Sequence, residues 1–275
     1  MIKNLLYSLF LFQLVFSAFA QVKNEPEVKI IFDSFPLEKS RNINAAVVVR
    51  LEDGWHIYWR NPGDSGMPTS FEFILPENVK VSEIKWIVPK IFEFEGYASY
   101  GYEDVAVFPF NIYMPENFIQ DEITIEVNLK SLICKDVCKP FNQKINGTIR
   151  LDEMYIASKA DSDLLFSAYT NLPVKNDKLK LYAKNFSDSV LINISSEIIK
   201  INKIKNVHFI PYENGIFKNS VVQNFTVSGS ELVLTAEFDP FKTKVPDTLN
   251  GILVIDLNSE EGNSRLAFEV NQKIE

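Results

Sequence analysis

Short strand-like segments separated by turn-forming residues constrain the fold of this chain more than any other feature. Within residues 123–129 apolar and polar side chains alternate, a period of two that is typical of a strand with one buried face. Other runs rich in Val, Ile and aromatic residues, many bounded by Gly, Pro, Asn or Asp, lie at Glu27–Phe32, Ile43–Leu51, Trp55–Trp59, Phe71–Leu75 and Val105–Tyr113. Short strands at this spacing favour an antiparallel sandwich over a parallel α/β sheet.

The pattern changes near Tyr155. Residues Ser158–Thr170 have the apolar spacing of a helix and acidic residues near its start. Strand-like runs then resume and continue to the end of the chain. We predict an all-β protein in which an immunoglobulin-like antiparallel sandwich, residues 21–153, is followed by a connecting helix and a second, smaller β domain, residues 154–275.

The first 20 residues have the form of a secretory signal peptide. Lys3 supplies the basic start, Leu5–Phe16 is mostly apolar, and Ala18-Phe19-Ala20 fits the signal peptidase pattern. An uncleaved N-terminal anchor is the alternative. No later segment reaches the roughly 20 apolar residues that a spanning helix needs. We therefore expect an exported mature chain without a transmembrane segment, in a compartment where disulfides persist.

The charge balance argues against one class of partner. The chain has 28 basic and 36 acidic side chains, a formal net charge of −8. Proteins that bind nucleic acid through their phosphates usually carry a basic surface. We expect no nucleic-acid partner.

The two cysteines of the chain, Cys134 and Cys138, are only four residues apart. A disulfide closing so short a loop stabilises a fold by about 2 kcal/mol in the chain-entropy model, against about 4.7 kcal/mol for a loop of 100 residues. A disulfide also needs Cα atoms within about 7 Å, whereas four residues of extended strand span roughly 13 Å. Residues 134–138 must therefore form a turn if the sulfurs are to meet.

Three kinds of chemistry fit this pair. It can exchange disulfides with partners, form a permanent structural disulfide, or bind Cu(I), which thiolates suit. A closed zinc site would need four ligands. Lys135 and Lys139 would lower a nearby thiol pKa, and Asp136 would raise it. Exchange fits the exported location and the short loop best, and it requires no cofactor.

Around the cysteines the chain resembles a known family. The region from about Leu51 to Arg150 is similar to the N-terminal periplasmic domain of the thiol:disulfide interchange protein DsbD, and more closely to its ScsB-type relatives. The matching segments are Asp53–Pro68, which includes Gly63-Asp64-Ser65-Gly66, then Tyr100–Glu103 and Cys134–Pro140. Weaker similarity to the ScsB-type region continues through Asp163–Leu165, Leu172-Pro173 and Phe209–Gly215.

The resemblance implies an immunoglobulin-like periplasmic domain that takes reducing equivalents from a thioredoxin-like donor and passes them to disulfide-bearing periplasmic proteins. ScsB-type members are associated with copper tolerance. By position, Cys138 forms the mixed disulfide with a partner and Cys134 resolves it. A cap loop shields the pair in DsbD, and the corresponding segment here contains Glu93 and Phe94, with Phe94 as the candidate cap.

Two tyrosines of the DsbD site correspond to His56 and Tyr58, which share one face of a strand because they are two residues apart. His56 would move a proton or bias a thiolate; packing roles for both residues are the alternative. In the copper alternative, Cys134, Cys138 and His56 would be the Cu(I) ligands.

His208 is expected to be structural. Gly63-Asp64-Ser65-Gly66 is expected to be a tight turn, with a partner groove at Asp64 and Ser65 as the alternative.

This sequence also departs from DsbD. DsbD has a longer spacing between its cysteines and carries a membrane transporter and a terminal thioredoxin-like domain, neither of which precedes Glu275 here. We therefore expect the electrons to come from a thioredoxin-like periplasmic protein or a separate membrane electron transporter. The chain would then be one component of a protein-disulfide reductase. A scaffolding or copper-handling domain remains the alternative.

Overall fold

The computed structural model describes residues 25–35, 42–151, 154–175, 177–197, 199, 203–220, 222–228, 231–259 and 262–275. The predicted signal peptide, residues 1–20, lies outside the described residues. No helix among the described residues is long and apolar enough to cross a membrane. The predicted all-β class is confirmed: within the described ranges, antiparallel sheets carry nearly all of the regular structure, together with one helix.

The first sandwich consists of ten strands in two sheets. They are β1 (Glu27–Phe32), β2 (Asn42–Arg50), β3 (His56–Gly63), β4 (Ser70–Ile74), β5 (Lys80–Val81), β6 (Lys90–Phe94), β7 (Tyr97–Glu103), β8 (Val105–Tyr113), β9 (Glu122–Cys134) and β10 (Cys138–Arg150). One sheet has the order β1-β2-β8-β5. The other has the order β10-β9-β3-β7-β6, with β4 also paired to β9. This second sheet carries both cysteines.

The alternation in β9 divides its side chains between two environments. Ile123, Ile125, Val127 and Leu129 are each 0% exposed and belong to the core between the sheets. The intervening side chains face outward because successive residues of a strand point to opposite sides. The same rule places Ile57 and Trp59 of β3 in this core, and it leaves His56 on the opposite face of the sheet.

Helix α1 (Lys159–Thr170) follows the first sandwich. Ser158 caps it, accepting a hydrogen bond from the Asp161 backbone N–H at 3.1 Å. Its buried residues Leu165 and Ala168 belong to a small apolar cluster with side chains from β1, β2 and β8, so the helix covers the outer side of that sheet. The cysteines lie in the other sheet.

The second sandwich consists of seven strands in two sheets. They are β11 (Leu179–Asn185), β12 (Ser189–Ser196), β13 (Ile204–Pro211), β14 (Phe225–Ser228), β15 (Glu231–Glu237), β16 (Thr248–Ser259) and β17 (Gly262–Lys273). The sheet orders are β11-β12-β15-β14 and β13-β16-β17. The domain boundary at 153/154 stays a prediction, because the two sandwiches share packing: Ile210, Ile252 and Val254 join the apolar cluster that contains Trp59.

His208 lies on β13, beside a cavity that Lys90, Asp256 and Arg265 also line. Its Nε2 is buried and has no hydrogen-bond partner among the described residues. Burial lowers the pKa of His208 to about 4, against the weaker raising effect of the Asp256 charge. The neutral imidazole is therefore the form that the fold favours.

We predict that His208 makes the protein sensitive to mild acid. The pKa of the unfolded residue is 6.5, so between pH 6.5 and about 4 the unfolded state binds more protons than the folded state. Stability is then lost as pH falls through this window, by up to about 3 kcal/mol. Urea unfolding of the wild type and His208→Gln at pH 7.5 and 4.5 measures the effect. The variant should lose less stability, and equal losses would contradict the prediction.

Candidate thiol–disulfide site

The cysteine pair closes a β-hairpin. Strand β9 ends at Cys134 and β10 begins at Cys138, and the two residues are direct cross-strand partners. Their Cα atoms are 4.1 Å apart and their sulfurs form a disulfide. The turn that the spacing requires is therefore present, as a three-residue connection between antiparallel strands rather than a helical turn.

The two cysteine residues differ in their exposure to solvent. Cys134 is 2% exposed, whereas Cys138 is exposed, as is the whole run from residue 135 to 140. The turn residue Val137 is 60% exposed. A partner protein approaching this hairpin therefore meets Cys138 first.

One row of side chains crosses four strands at the disulfide. Cys138 pairs with Cys134, Cys134 with His56, and His56 with Glu103. Residues directly opposite each other on antiparallel strands share a face of the sheet, with Cβ atoms about 4.5–5.5 Å apart. His56 thus lies beside the inner cysteine. Sequence reasoning missed Glu103, since nothing in the sequence gives the register between β3 and β7.

Tyr58 provides the direct polar contact to the sulfurs. Its hydroxyl donates a hydrogen bond to Cys134 Sγ at 3.1 Å and lies 3.8 Å from Cys138 Sγ. Burial raises the pKa of the Tyr58 hydroxyl, and a hydrogen bond with Ser65 opposes that shift. The hydroxyl therefore keeps its proton at neutral pH and can donate a hydrogen bond to a thiolate on either cysteine.

His56 is held between two aromatic rings. The Phe92 ring stacks on the imidazole at 4.7 Å, and the Tyr58 ring lies edge-on at 5.2 Å. Burial lowers the pKa of His56 below 6.5, and the charge of Glu103 partly offsets this. Glu103 also forms an ion pair with Lys90. At neutral pH the imidazole is uncharged and able to accept a proton.

The hairpin formed by β6 and β7 carries the predicted cap residues. Phe94 lies next to its tip and is 75% exposed, and Glu93 is exposed as well. Phe92 is the aromatic side chain of this hairpin that contacts the site, and sequence reasoning missed it. Phe92 and Phe94 are two residues apart on β6 and share the sheet face of His56, but Phe92 lies against the imidazole whereas Phe94 lies nearer the exposed tip of the hairpin. The capping role of Phe94 stays a prediction.

The two lysines beside the cysteines contact groups other than the sulfurs. Lys135 Nζ donates a hydrogen bond to the Asp53 carbonyl oxygen at 2.9 Å. Lys139 Nζ lies over the Trp55 ring, 4.5 Å from its centroid. Both ammonium groups therefore contact other residues at the edge of the site. The hydrogen bond to sulfur comes from the Tyr58 hydroxyl.

The Gly63-Asp64-Ser65-Gly66 segment forms the predicted tight turn, with Gly63 at φ 84° and Gly66 at φ 102°. Asp64 accepts a hydrogen bond from the Ala98 backbone N–H at 2.8 Å, and the Ser65 hydroxyl pairs with that of Ser99 at 2.9 Å. These contacts are internal to the fold. The alternative role of Asp64 and Ser65 in a partner groove is untested.

The described part of the chain has no preformed metal site. Among the residues that the structure describes, no three His, Cys, Asp or Glu side chains are grouped to hold a metal ion. Cys134 and Cys138 are joined to each other and offer no free thiolate in this state. Copper binding would require the reduced pair.

One known protein family is similar in sequence to the first sandwich. The sequence profile described as "Thiol:disulfide interchange protein DsbD, N-terminal" matches residues 25–149, which contain both cysteines, His56, Tyr58 and Glu103. Residues 25–149 are thus similar to the N-terminal domain of DsbD. We refer to them below as the DsbD-type domain.

The whole fold is similar to a solved structure. The N-terminal periplasmic domain of ScsB from Proteus mirabilis matches with a TM-score of 0.61 at 18% sequence identity, over 92% of this chain and 96% of that chain. The similarity therefore extends beyond the DsbD-type domain into the second sandwich. No curated protein sequence matches the chain significantly.

We predict that removing the Phe92 ring raises the pKa of His56. Phe92→Ala would admit water to the imidazole and relieve the burial that lowers its pKa, while the attraction of Glu103 remains. The pKa should rise toward 6.5 or above. An NMR titration of the imidazole protons can follow it, because the chain has only two histidines and His208→Gln assigns the other signal.

Phe94→Ala is the matched control, since this ring belongs to the same hairpin but is mostly exposed. It should leave the pKa of His56 unchanged. An equal shift in both variants would contradict the assignment of the shielding to Phe92 and would support Phe94 as a cap.

Proposed function

We propose that this protein is a periplasmic thiol–disulfide exchange module. It relays reducing equivalents from a thioredoxin-like donor or a separate membrane electron transporter to exported disulfide-bearing proteins, through Cys134 and Cys138. The match of residues 25–149 to the N-terminal domain of the thiol:disulfide interchange protein DsbD supports the chemistry. The similar fold of a periplasmic ScsB domain supports the location.

The unequal exposure of the two cysteine residues is the observation that carries this proposal. Cys138 is exposed at the start of β10, whereas Cys134 is 2% exposed and held against Tyr58. Attack on a protein disulfide requires access by the attacking sulfur. Cys138 therefore takes the role of the nucleophile toward the partner, and Cys134 that of the resolving thiol.

The exchange proceeds in two displacements. The Cys138 thiolate attacks one sulfur of the partner disulfide, forming a mixed disulfide, and the partner's other sulfur leaves as a thiolate. The Cys134 thiolate then attacks Cys138 Sγ, closing the internal disulfide and releasing the second partner sulfur. Two electrons and, after protonation, two protons pass to the partner. A dithiol of the thioredoxin-like class restores the reduced pair by the reverse sequence.

Tyr58 and His56 assist at different moments. The Tyr58 hydroxyl, within 3.1 Å and 3.8 Å of the two sulfurs, stabilises negative charge on whichever is the thiolate. The uncharged His56 lies beside Cys134 in the row and accepts its proton as Cys134 becomes the attacking group. The pair can therefore ionise in turn without a metal or an organic cofactor.

We predict that Cys134→Ser traps mixed disulfides and Cys138→Ser does not. Removal of the resolving sulfur leaves Cys138 bound to its partner, whereas the inner Cys134 alone has little access to a protein disulfide. Non-reducing electrophoresis of periplasmic extracts, followed by reduction and identification of the released proteins, measures this. Trapping by Cys138→Ser alone would reverse the two roles. Absence of trapping in both variants would contradict exchange.

The copper-handling alternative rests on the position of His56, which pairs in register with Cys134 and so brings an imidazole beside the thiols of the reduced protein. Soft thiolates and imidazole are suitable Cu(I) ligands. An anaerobic Cu(I) titration in competition with a chelator tests it. Copper handling predicts tighter binding than a free dithiol and weaker binding by His56→Ala, and affinity no better than a free dithiol would remove this alternative.

A further inference from the structure

One segment of the second sandwich, residues 211–219, contacts the end of β3. Asn61 is 1% exposed, and its Nδ2 donates hydrogen bonds to the carbonyl oxygens of Pro211 at 2.8 Å and Glu213 at 3.3 Å. A buried amide group is costly unless its hydrogen bonds are made. These bonds therefore fix the segment at one place on the DsbD-type domain.

A second contact joins this segment to the turn that follows β3. Asn219 is 6% exposed, and its Nδ2 donates to Asp64 Oδ1 at 2.9 Å. The other oxygen of Asp64 accepts from the Ala98 backbone N–H, and the Asp64 N–H donates to the Ala98 carbonyl oxygen, both at 2.8 Å. Asp64 thus links the second sandwich to strand β7 of the cysteine-bearing sheet.

The same turn packs against the tyrosine that contacts the disulfide. A Cβ atom on Gly66 would lie 2.3 Å from the Tyr58 ring, so the ring lies directly against the turn backbone. Gly63 begins the turn, and its N–H donates to Asn61 Oδ1 at 2.9 Å. The turn conformation therefore determines where the Tyr58 ring, and hence its hydroxyl, can lie.

We propose that the second sandwich positions the thiol site: through Asn219 and Asn61 it holds the 63–66 turn, and the turn holds the Tyr58 hydroxyl on the cysteine sulfurs. This inference rests on the proposed function for its purpose, and it gives the second sandwich a role in the chemistry of the first. Asn219 and Asn61 act through Tyr58 and are positioning residues.

The chain of contacts predicts a specific chemical effect. Donation from a correctly placed Tyr58 hydroxyl stabilises the first thiolate of the reduced pair, because a hydrogen bond to the charged form favours that form. Loss of the Asn219–Asp64 bond frees the turn and weakens this donation. The thiolate population, and with it the reactivity of Cys138, should fall.

The test is a double-mutant cycle on the full, reduced chain with Asn219→Ala, Tyr58→Phe and both changes together. Thiolate absorbance near 240 nm is followed against pH, and alkylation by iodoacetamide is timed at pH 7. Each single variant should raise the apparent pKa of the first thiol and slow alkylation, by roughly threefold for each unit of pKa above 7, because the tenfold loss of thiolate is partly offset by its higher intrinsic nucleophilicity. In the Tyr58→Phe background, Asn219→Ala should have no further effect.

Gln223→Ala is the matched control. Gln223 is 7% exposed, and its amide makes two 2.8 Å hydrogen bonds to the Phe209 backbone within the second sandwich. This variant should destabilise that sandwich, as measured by urea unfolding, and leave the thiol pKa unchanged. The proposal is overturned if Asn219→Ala leaves the thiol titration unchanged, or slows alkylation equally with and without the Tyr58 hydroxyl. It is also overturned if Gln223→Ala gives the same shift as Asn219→Ala.

These readouts need no partner protein. If the double-mutant cycle behaves as predicted but trapping fails, the exchange function is wrong and the positioning role stands. If trapping succeeds but Asn219→Ala leaves the thiol titration unchanged, the exchange function stands and the positioning role is wrong.

Discussion

The register of β9 between β10 and β3 is the constraint on which the rest of this structure depends. In that register Cys134 is opposite both Cys138 and His56, while Ile133 and Ile57 form the adjacent row on the core side. Because side chains alternate with a period of two, a slip of one residue would bring Cys134 into the apolar core and expose Ile133. The buried Ile and Val residues of β9 oppose such a slip. The core that stabilises the sandwich therefore also holds the sulfurs on the outer face.

Three parts of the chain determine which groups on that outer face are shielded and which are exposed. The β6–β7 hairpin contributes Phe92 over His56, the turn after β3 holds the Tyr58 ring, and β10 leaves Cys138 exposed. The result is one exposed cysteine beside one buried cysteine. Such an asymmetry suits an exchange pair, in which one thiol must meet partners and the other must act only after the mixed disulfide forms.

Local patterns in the sequence carried much of the prediction. The alternation in residues 123–129 identified a half-buried strand, the four-residue spacing of Cys134 and Cys138 required a turn, and the apolar spacing after Ser158 indicated a helix. Each of these follows from residues close together in the chain. The family resemblance added a prediction of which cysteine forms the mixed disulfide and which resolves it, a choice that the sequence pattern alone left open.

Features set by long-range pairing were beyond such reasoning. Glu103 reaches His56 through the β3–β7 register, and Phe92 rather than Phe94 stacks on His56 because of its place on β6. The contact between Asn219 and Asp64 joins residues 155 positions apart. Two sandwiches that look separate in sequence are thereby connected at the turn that supports the thiol site. The turn motif marks Asp64 in the sequence, but no local pattern marks Asn219 as its partner.

The central claim is that Cys134 and Cys138 form an exchange pair rather than a permanent staple. The reduction potential of this disulfide tests it most directly, measured by equilibrating the full chain in graded thiol–disulfide buffers and counting alkylated thiols by mass. Structural disulfides of exported proteins typically lie below about −300 mV, whereas exchanging pairs lie higher. We predict a potential above about −300 mV. A value well below it would contradict the claim and leave the pair as a structural disulfide.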